Sequence, residues 1–571
     1  MRSAAVPPAR APRARRRART APLRWGSWPS PVPGCWSSSS RRREPSARSP
    51  ASSRPTGKGA SHALHPRSRA VPAAGQPRPA RRRSRRPGGR ASGRAAGNPR
   101  AVLCRGALAH GGRVDLSAAH GAFDAASGKR RRVVILGGGA SGVLMALHLL
   151  RASPAVTMCL VEKSDMLGRG VAYGTRDPAH LLNTRVANMS AIVDDPAHFL
   201  EWLRATVDPA CCPWSFVSRE VYGRYLAETL TQAPGRDRLT CLQAEAVRVE
   251  PLAQGTRVHL ADGRAVTADI TVLATGHALP AAEPDAALSL PWGDSAPPER
   301  MADVLIVGTG LTMVDQVLSL LDAGHGGRIE AVSRRRLLPQ PHADAAPLGI
   351  AAADLPLGRP VSTLMRWLRD RVATAEAEGG DWRSVVDGLR PHVQALWQAM
   401  DADGRARFLR HACGWWEVHR HRMPPSSAQR LAVAQREGRL TLRRAAFLGA
   451  ERGEGGRITA RLRLPDRTEE ARVVDRIIDC RGIRRDPAQN AGPVIRHLIE
   501  DGLACVDPLR FGIDVDTCAR VLRPDGTPHA TIFALGPVSR AAFWEITAIP
   551  DIRVQAARLS AQLVEVEARS A

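Results

Sequence analysis

The chain has 571 residues, enough for more than one domain, and a formal net charge of +29. The charge is concentrated at one end: residues 1–132 carry 31 of the 83 Lys and Arg residues but 3 of the 54 Asp and Glu residues. The rest of the chain is close to neutral, which excludes a strongly basic, nucleic-acid-binding body.

Cysteine usage and hydropathy exclude two further classes. The ten cysteines form no C-x-x-C motif and show no zinc-ligand spacing, so we expect no metal site and buried thiols in a reducing compartment. That pattern favours a cytoplasmic protein. The sequence has no apolar run of about 18 residues, so it predicts no membrane span. Nothing in it indicates the oligomeric state.

Residues 1–130 are rich in Arg, Pro, Ser and Gly, and this composition predicts a disordered basic extension. Three interpretations are open: an organelle transit peptide, a basic arm for nucleic acid or anionic membranes, and an upstream extension that the native protein lacks. We favour the third, because only 3 lysines accompany 80 arginines, which is typical of a very GC-rich genome. No apolar segment follows the basic residues, so a secretory signal is not predicted.

The folded body begins with a glycine-rich turn between an apolar strand and a helix. The strand at 133–136 is followed by G-x-G-x-x-G and a helix, and a second strand ends at Glu162. This is the dinucleotide-binding fingerprint, in which the glycines admit the diphosphate and the acid accepts from ribose hydroxyls. The predicted contacts of this first site are Gly137, Gly139, Ala140, Ser141, Gly142, Glu162 and Lys163.

Other strand ends indicate that the first dinucleotide is FAD. One predicted strand ends at Thr275 and Gly276, and another ends at Gly536 before an amphipathic helix with Pro550 near its first turn. Parallel strands gathered at one edge of a sheet enclose FAD in two-domain flavoproteins. The intervening loop at 168–203 offers further donors to flavin or substrate: Arg169, Asn183, Asn188 and Ser190.

A second glycine turn repeats the first at an offset of 171 residues. "VLIVGTGLTM" places Gly308, Gly310, Leu311 and Thr312 at the equivalent positions, but Met313 replaces the third glycine. The ribose-binding acid becomes Ser333, followed by Arg334, Arg335 and Arg336. A carboxylate would repel a 2′-phosphate and guanidinium groups would bind it, so NADP(H) is favoured over NAD(H). The alternative is a unit that keeps the fold without the ligand.

Residues 346–440 show helical patterns and few strand signals, which predicts a helical insertion. Its segment "WWEVHRHRMPP" contains the candidate catalytic residues His419, His421 and Arg422. If the segment is helical, Trp415 and His419 share one face, and so do Val418 and Arg422. The alternative is a helix end whose basic residues complement the helix dipole. His342 is a further candidate with the same two interpretations.

Several motifs carry a family resemblance over roughly residues 131–565: "GRGVAYGT", "SREVYGRYL", "VLIVGTGLTMVD", "SRRRLLPQPH", "FLRHACGWWEVHRHRMPP" and "ALGPVSRAAFWEITAIPDIRVQA". Together they resemble the bacterial family of FAD/NAD(P)-binding proteins, whose members are uncharacterised or urate-hydroxylase-like. That family is related to flavin-containing and N-hydroxylating monooxygenases. "IIDCRGI" departs from it, with Arg481 where a Thr-Gly ending is usual, and "VSRAAFWE" lacks a glycine near Ala541.

The resemblance implies FAD and NADP as cofactors and a small-molecule substrate. It implies an NAD(P)H-dependent flavoprotein oxidoreductase that hydroxylates or oxidises this substrate through reduced flavin and oxygen. A non-catalytic or sensory nucleotide-binding protein is the alternative.

The predicted fold is α/β, with two Rossmann-like dinucleotide-binding domains, a helical insertion and the disordered extension. Its predicted boundaries are 1–130 (extension), 131–298 (FAD-binding, first part), 299–345 (NAD(P)-binding unit), 346–440 (helical insertion) and 441–571 (return to both nucleotide-binding domains and the C-terminal FAD-binding segment).

Overall fold

The computed structural model describes Phe123 and residues 130–277, 287–292, 298–482 and 486–568. The predicted N-terminal extension therefore lies outside the described residues except at Phe123 and Arg130, and its disorder stays a prediction. The described residues all belong to one compact unit, Gly97–Ala571.

Strands and helices are interspersed in this unit, with five consecutive strands at 239–273 and five more at 440–479. The strands are β1 (Arg131–Leu136), β2 (Val156–Glu162), β3 (Leu239–Gln243), β4 (Ala246–Pro251), β5 (Thr256–Leu260), β6 (Ala265–Ala268), β7 (Ile270–Leu273), β8 (Val304–Val307), β9 (Ile329–Ser333), β10 (Leu440–Arg444), β11 (Ala446–Arg452), β12 (Ile458–Arg463), β13 (Glu469–Val474), β14 (Arg476–Asp479), β15 (Arg520–Leu522) and β16 (Pro528–Ala534).

The helices are α1 (Ala140–Ala152), α2 (Gly170–Tyr173), α3 (His198–Thr206), α4 (Arg219–Thr231), α5 (Leu311–Asp322), α6 (Val361–Ala377), α7 (Trp382–Leu389), α8 (Val393–Gln398), α9 (Ala402–His411), α10 (Cys413–Arg420), α11 (Pro425–Arg436), α12 (Pro487–Asn490), α13 (Pro493–Glu500) and α14 (Ile549–Ala568). In the part of the chain that is described, no helix is both long and apolar enough to cross a bilayer.

Two parallel sheets form the framework. The first has the order β15-β16-β7-β1-β2-β3 and is parallel except for β15. The second has the order β10-β9-β8-β14 and is parallel throughout. Their central strands are buried continuous apolar runs, as expected for sheets covered on both faces. The α/β prediction is confirmed.

The two sheets belong to units that repeat the same topology. In each unit a strand, a helix and a second strand come first, and a helical segment then leads to a third strand. A three-stranded antiparallel sheet and a fourth strand complete the unit. Even the register repeats: Val133 pairs with Met158 in the first sheet, and Val304 pairs with Ile329 in the second. The offset of 171 residues thus describes a duplicated architecture that extends far beyond the glycine turn.

Helices α6 to α11 lie between β9 and β10, inside the predicted helical region. They correspond in topology to α2 to α4, which lie between β2 and β3 in the first unit. The C-terminal segment then returns to the first sheet through β15 and β16, and α14 packs on α1. The domain boundaries themselves remain a prediction.

Candidate functional site

The first glycine turn has a backbone that only glycine fits. Gly137 has φ +105°, and a Cβ atom there would lie 2.5 Å from the carbonyl oxygen of Ala274 on the neighbouring strand. At Gly142 a Cβ atom would lie 1.8 Å from the carbonyl oxygen of Gly137. The two outer glycines of the motif therefore hold the turn tightly between the sheet and α1.

Glu162 ends β2 and holds this turn from the other side. Its Oε2 accepts from the backbone N–H of Gly138 at 2.6 Å, and its Oε1 accepts from the N–H of Ser164 at 2.9 Å. A carboxylate oxygen has two lone pairs, so each oxygen can still accept a ribose hydroxyl. Glu162 is thus fixed in place and remains competent to bind ribose.

A cleft of about 490 Å³ opens at this turn. Five predicted contacts line it: Gly137, Glu162, Lys163, Thr275 and Gly276. The cleft extends from the acidic end of β2, past the turn, to Phe511, Pro537 and Arg540. An elongated groove with glycine on its floor and a carboxylate at one end fits an extended dinucleotide such as FAD.

Three predicted contacts lie at the N-terminus of α1, beside the cleft lining. Gly139 is the N-cap residue of α1, and a Cβ atom there would lie 3.5 Å from Gly170 Cα, an ordinary contact. Ala140 and Ser141 open the helix, and Ser141 is buried. A Cβ atom on Gly536, which has φ +72°, would come within 2.5 Å of the Ser141 hydroxyl. Gly536 therefore admits the close approach of the last parallel strand to the helix that faces the diphosphate.

Two of the polar side chains predicted in the loop at 168–203, those of Arg169 and Ser190, are engaged within the protein. The Arg169 guanidinium lies 3.9 Å from the Glu220 carboxylate, and the Asn183 carbonyl lies 2.9 Å from His342 Nε2. Ser190 donates to the Ile192 and Asp195 carbonyls. None of the three lines the cleft; Asn188, also predicted there, is exposed and does not line it either. The structure therefore does not bring these donors to the cleft wall.

Sequence reasoning missed one wall of the cleft. Residues 487 and 489–496, in α12 and the start of α13, line it together with 511–513. They lie more than 300 positions from the first glycine turn, and α13 reaches the cleft by packing on β4. The available signal was Gly492-Pro493, because proline after an N-cap glycine is typical of a helix start.

The second glycine turn reproduces the first. Gly308 has φ +119°, and a Cβ atom there would lie 2.3 Å from the Cys480 carbonyl oxygen. The Gly308 N–H donates to Val332 O at 2.8 Å, just as the Gly137 N–H donates to Val161 O at 2.8 Å. Gly310 is the N-cap residue of α5 and has open space where a Cβ would point. The turn therefore keeps room for a diphosphate in front of Leu311 and Thr312, the first residues of α5.

Met313 fills the space that a glycine occupies in the first unit. It is fully buried and packs with Val304, Ile306 and Val314 in the core of the second unit. The replacement therefore changes the packing of α5 and leaves the mouth of the turn at Gly308 and Gly310 unobstructed.

A side chain at the end of the second strand contacts each glycine turn, and it is a carboxylate in the first unit and a neutral hydroxyl in the second. In the first unit Glu162 accepts a hydrogen bond from the backbone N–H of Gly138. At the equivalent positions of the second unit, the hydroxyl of Ser333 lies 2.8 Å from the hydroxyl of Thr309. Thr309 donates to the Leu337 carbonyl, so Ser333 donates to Thr309, and it also accepts from the N–H of Arg336. Ser333 consequently keeps the turn in place without a negative charge but has no proton left for a phosphate. Arginines must supply any phosphate contact.

The three arginines after Ser333 are not equivalent. All three are exposed, and neither Arg334 nor Arg336 forms an ion pair with a carboxylate of the described residues. Arg335 donates to the Arg410 carbonyl at 2.7 Å and lies against Gly414, so it is bound to the helical region. Arg334 directly follows Ser333, and it remains the predicted phosphate ligand of this run.

The candidate catalytic residues of the helical region do not line the cleft. Arg422 pairs with Asp387, and its Nε donates to the His419 carbonyl. His419 Nδ1 lies 2.8 Å from the Trp415 carbonyl, one turn back on the same helix. Burial lowers the pKa of His419 and lowers that of His421 to about 4.

One expectation for this segment was wrong. Helix α10 ends at Arg420, and His421 is its C-cap residue with non-helical dihedral angles. Val418 and Arg422 therefore do not share a helical face. Arg422 is buried, His419 and His421 are half-buried, and none of the three lines the cleft.

The fold and the two turns define the class: an α/β flavoprotein fold with two dinucleotide-binding units. Residues 134–278 match a family model described as FAD-NAD(P)-binding. The chain is also 25% identical over 222 residues to the uncharacterised protein YdhS of Escherichia coli (strain K12). That match covers 35% of this chain and 41% of YdhS, so the chain spans under half the length of this relative.

Solved structures share the fold at low sequence identity. The ornithine N-hydroxylase KtzI of Kutzneria sp. 744, whose structure contains reduced FAD, NADP+ and L-ornithine, has a TM-score of 0.52 and 15% identity. It covers 77% of this chain and 100% of its own. The L-lysine 6-monooxygenase of Pseudomonas syringae has a TM-score of 0.52 and 16% identity, covering 76% and 99%. The cadaverine monooxygenase DfoA of Erwinia amylovora has a TM-score of 0.53 and 13% identity, covering 77% and 95%.

These comparisons confirm the predicted fold and the resemblance to two-domain flavoproteins. The family match confirms the prediction of FAD and NAD(P) as cofactors, and with the fold it supports the predicted class of FAD-dependent oxidoreductases. The individual contact residues remain proposals. In the described residues no group of His, Cys, Asp and Glu is arranged to hold a metal ion, and no two described cysteines form a disulfide bond.

Replacing Glu162 with alanine is expected to weaken FAD binding by roughly 2 kcal/mol, about 30-fold, because a charged acceptor and the anchor of the turn are both lost. Fluorescence titration of FAD into flavin-free protein measures this change. The exposed Glu451 on β11 provides the control, and Glu451→Ala should bind FAD like wild type. Equal FAD affinity in Glu162→Ala and wild type would contradict the assignment of Glu162.

Proposed function

We propose that the protein is an NAD(P)H-dependent FAD oxidoreductase that hydroxylates or oxidises a small molecule. The observation that carries the proposal is the duplicated glycine turn, with a carboxylate beneath the first turn and a hydroxyl followed by arginines beneath the second. The same backbone scaffold thus offers one site suited to a ribose with free hydroxyls and another suited to a ribose phosphate.

The first unit would hold FAD through the chain's own groups. The N-terminus of α1 faces the diphosphate with its free N–H groups, and Glu162 accepts from the ribose. Thr275 and Gly276 lie on one side of the cleft, and α12 and α13 lie on the other. When bound, FAD supplies the redox chemistry: it takes a hydride from NAD(P)H and passes the electrons to oxygen or another acceptor.

The second unit would hold NADPH. The N-terminus of α5 faces its diphosphate past Gly310, and Arg334 lies where the 2′-phosphate would project beyond the end of β9. No acidic side chain occupies the position equivalent to Glu162, so the phosphate meets no repulsion there. These features support NADPH as the preferred electron donor.

Two observations favour a monooxygenase over a disulfide reductase. The sequence contains no C-x-x-C motif, which a flavin-dependent disulfide reductase of this fold would use as its redox pair. The fold is also shared with ornithine, lysine and cadaverine hydroxylases. Ornithine, lysine and cadaverine are therefore reasonable first probes for substrate-dependent oxygen uptake.

Anaerobic reduction of the purified protein tests the proposal. We expect a yellow protein whose flavin absorbance is bleached faster by NADPH than by NADH. Oxygen uptake and peroxide release with candidate substrates then separate a hydroxylase from an oxidase. A protein that cannot be reconstituted with FAD would refute the proposal. A protein that binds FAD but is not reduced by either nucleotide would indicate the non-catalytic alternative.

Replacing Arg334 with alanine is expected to raise the KM for NADPH about tenfold, since one charge-assisted contact to phosphate is lost. The KM for NADH should change little. Arg335→Ala is the matched control, because Arg335 is bound to the Arg410 carbonyl and points away from the proposed phosphate. Equal changes in KM for NADPH and NADH in Arg334→Ala would refute the phosphate role.

A further inference from the structure

A fourth arginine reaches the proposed phosphate position from a different strand. Arg444 is the last residue of β10, and in the parallel ladder it pairs with Ser333, the last residue of β9. Its side chain is exposed, and its Nε donates to the Arg334 carbonyl at 3.3 Å. Arg334 and Arg444 therefore stand side by side at the end of the sheet, although 110 positions separate them in the chain.

The duplicated architecture shows what this position does in the first unit. There the end of β3 pairs with the end of β2, so Gln243 stands beside Glu162 as Arg444 stands beside Ser333. The residues that follow Gln243, Ala244 to Ala246, line the cleft next to Glu162. The end of the third strand is thus part of the nucleotide site of the first unit, at its ribose end.

The charged residues at the ends of the second and third strands differ between the two units. In the first unit Glu245 lies 3.7 Å from Lys163, so an acid follows the strand end and neutralises the cation after Glu162. In the second unit Ala446 takes the place of Glu245, Arg444 takes that of Gln243 and Arg334 takes that of Lys163. The second unit therefore has two cations where the first has one cation paired with an acid.

No protein carboxylate competes for these two cations. Neither Arg334 nor Arg444 forms an ion pair with an Asp or Glu of the described residues; the neighbouring Arg443, by contrast, is bound to Glu470 and Glu330. Ser333 has no proton to give, because it donates to Thr309. Two arginines that follow one another across the strand ends, without a carboxylate partner at the ribose end of a nucleotide site, are suited to a phosphate dianion.

We propose that Arg444 is a specificity-determining residue that binds the 2′-phosphate of NADP(H) together with Arg334. The inference rests on the proposed NADPH site. It extends that site from the loop after β9 to the end of β10, so that the nucleotide preference depends on two separate stretches of the chain.

Calorimetric titration with 2′,5′-ADP and with 5′-ADP tests this role without turnover, since the two probes differ only in the 2′-phosphate. In Arg444→Gln, which installs the residue of the first unit, the Kd for 2′,5′-ADP should rise about tenfold while that for 5′-ADP stays unchanged. Arg444→Lys retains a point charge and should restore part of the affinity. The difference between variants should shrink at high salt.

The outcomes separate this inference from the function on which it rests. Wild-type protein that prefers 2′,5′-ADP, together with unchanged affinity in Arg444→Gln, would overturn the role of Arg444 and leave the NADPH site standing. Wild-type protein that binds both probes equally, or neither, would overturn both. Parallel weakening of 5′-ADP and 2′,5′-ADP in Arg444→Gln would show a structural role for Arg444 and refute a phosphate contact.

Discussion

Alanine at Gly142 is expected to abolish stable flavin binding, with a loss of about 3 kcal/mol or more in folding free energy. The added Cβ would lie 1.8 Å from the Gly137 carbonyl oxygen, which belongs to the turn that faces the diphosphate. Either α1 moves away from the sheet or the turn reorients, and both changes open the FAD cleft. Flavin content after purification and urea unfolding followed by circular dichroism measure the two effects.

The second unit provides the control for this prediction. A Cβ on Gly310 would meet nothing within 4 Å, and its φ of −84° suits any residue, so Gly310→Ala should fold normally and retain FAD. It should bind NADPH more weakly, because the methyl group would project into the space left for the diphosphate. Full flavin content and wild-type stability in Gly142→Ala would show that the turn relaxes and would contradict the packing argument.

Much of the nucleotide scaffold follows from the sequence because its determinants are local. Each outer glycine sits within a few residues of the strand and helix that it joins, so the motif alone predicts the turn. The constant offset then relates Glu162 to Ser333 without any knowledge of the fold. The same offset relates Gly138 to Thr309. Only the structure shows that Gly138 contacts Glu162 and that Thr309 contacts Ser333.

The rest of the fold and of the candidate site depends on contacts between distant parts of the chain. Arg444 meets Arg334, and α13 reaches the FAD cleft, through sheet order and helix packing that no short sequence window contains. The cluster at His419 to Arg422 shows that a local sequence pattern can also suggest a site that the structure does not form. A local run of histidine and arginine looks catalytic, yet its members are bound within the protein. Arg422 pairs with Asp387, and Arg420 pairs with Glu545 of the C-terminal segment.

Three histidines are expected to destabilise the fold when the pH falls from 7 to 5. Burial lowers the pKa values of His148, His342 and His421 from 6.5 to about 4; at His421 the Arg420 guanidinium adds to the effect of burial. Between these values the unfolded chain binds protons that the folded chain excludes, so stability falls as pH drops through 6.5 and levels off near 4. Each histidine contributes roughly 2 kcal/mol to the loss at pH 5, a large share of a typical folding free energy.

Buried carboxyls act in the opposite sense. Burial raises the pKa values of Asp315, Asp514 and Asp551, so their protonation favours the folded state as the pH falls. A substitution at one histidine separates its contribution to the pH dependence of stability from the contributions of the buried carboxyls. His148 is almost fully buried on α1, and its Nε2 has no hydrogen-bond partner in the structure, so leucine removes the bond of the ring to the Ala191 backbone but no bond of Nε2.

The difference in unfolding free energy between pH 7 and pH 5, measured by urea titration at saturating FAD, should therefore be smaller in His148→Leu by roughly 2 kcal/mol. Met145→Leu is the matched control, because Met145 is buried on the same helix and does not titrate. It should alter stability equally at both pH values. The same pH difference in His148→Leu and wild type would mean that His148 is protonated within the fold, and α1 would then tolerate a charge in its apolar face.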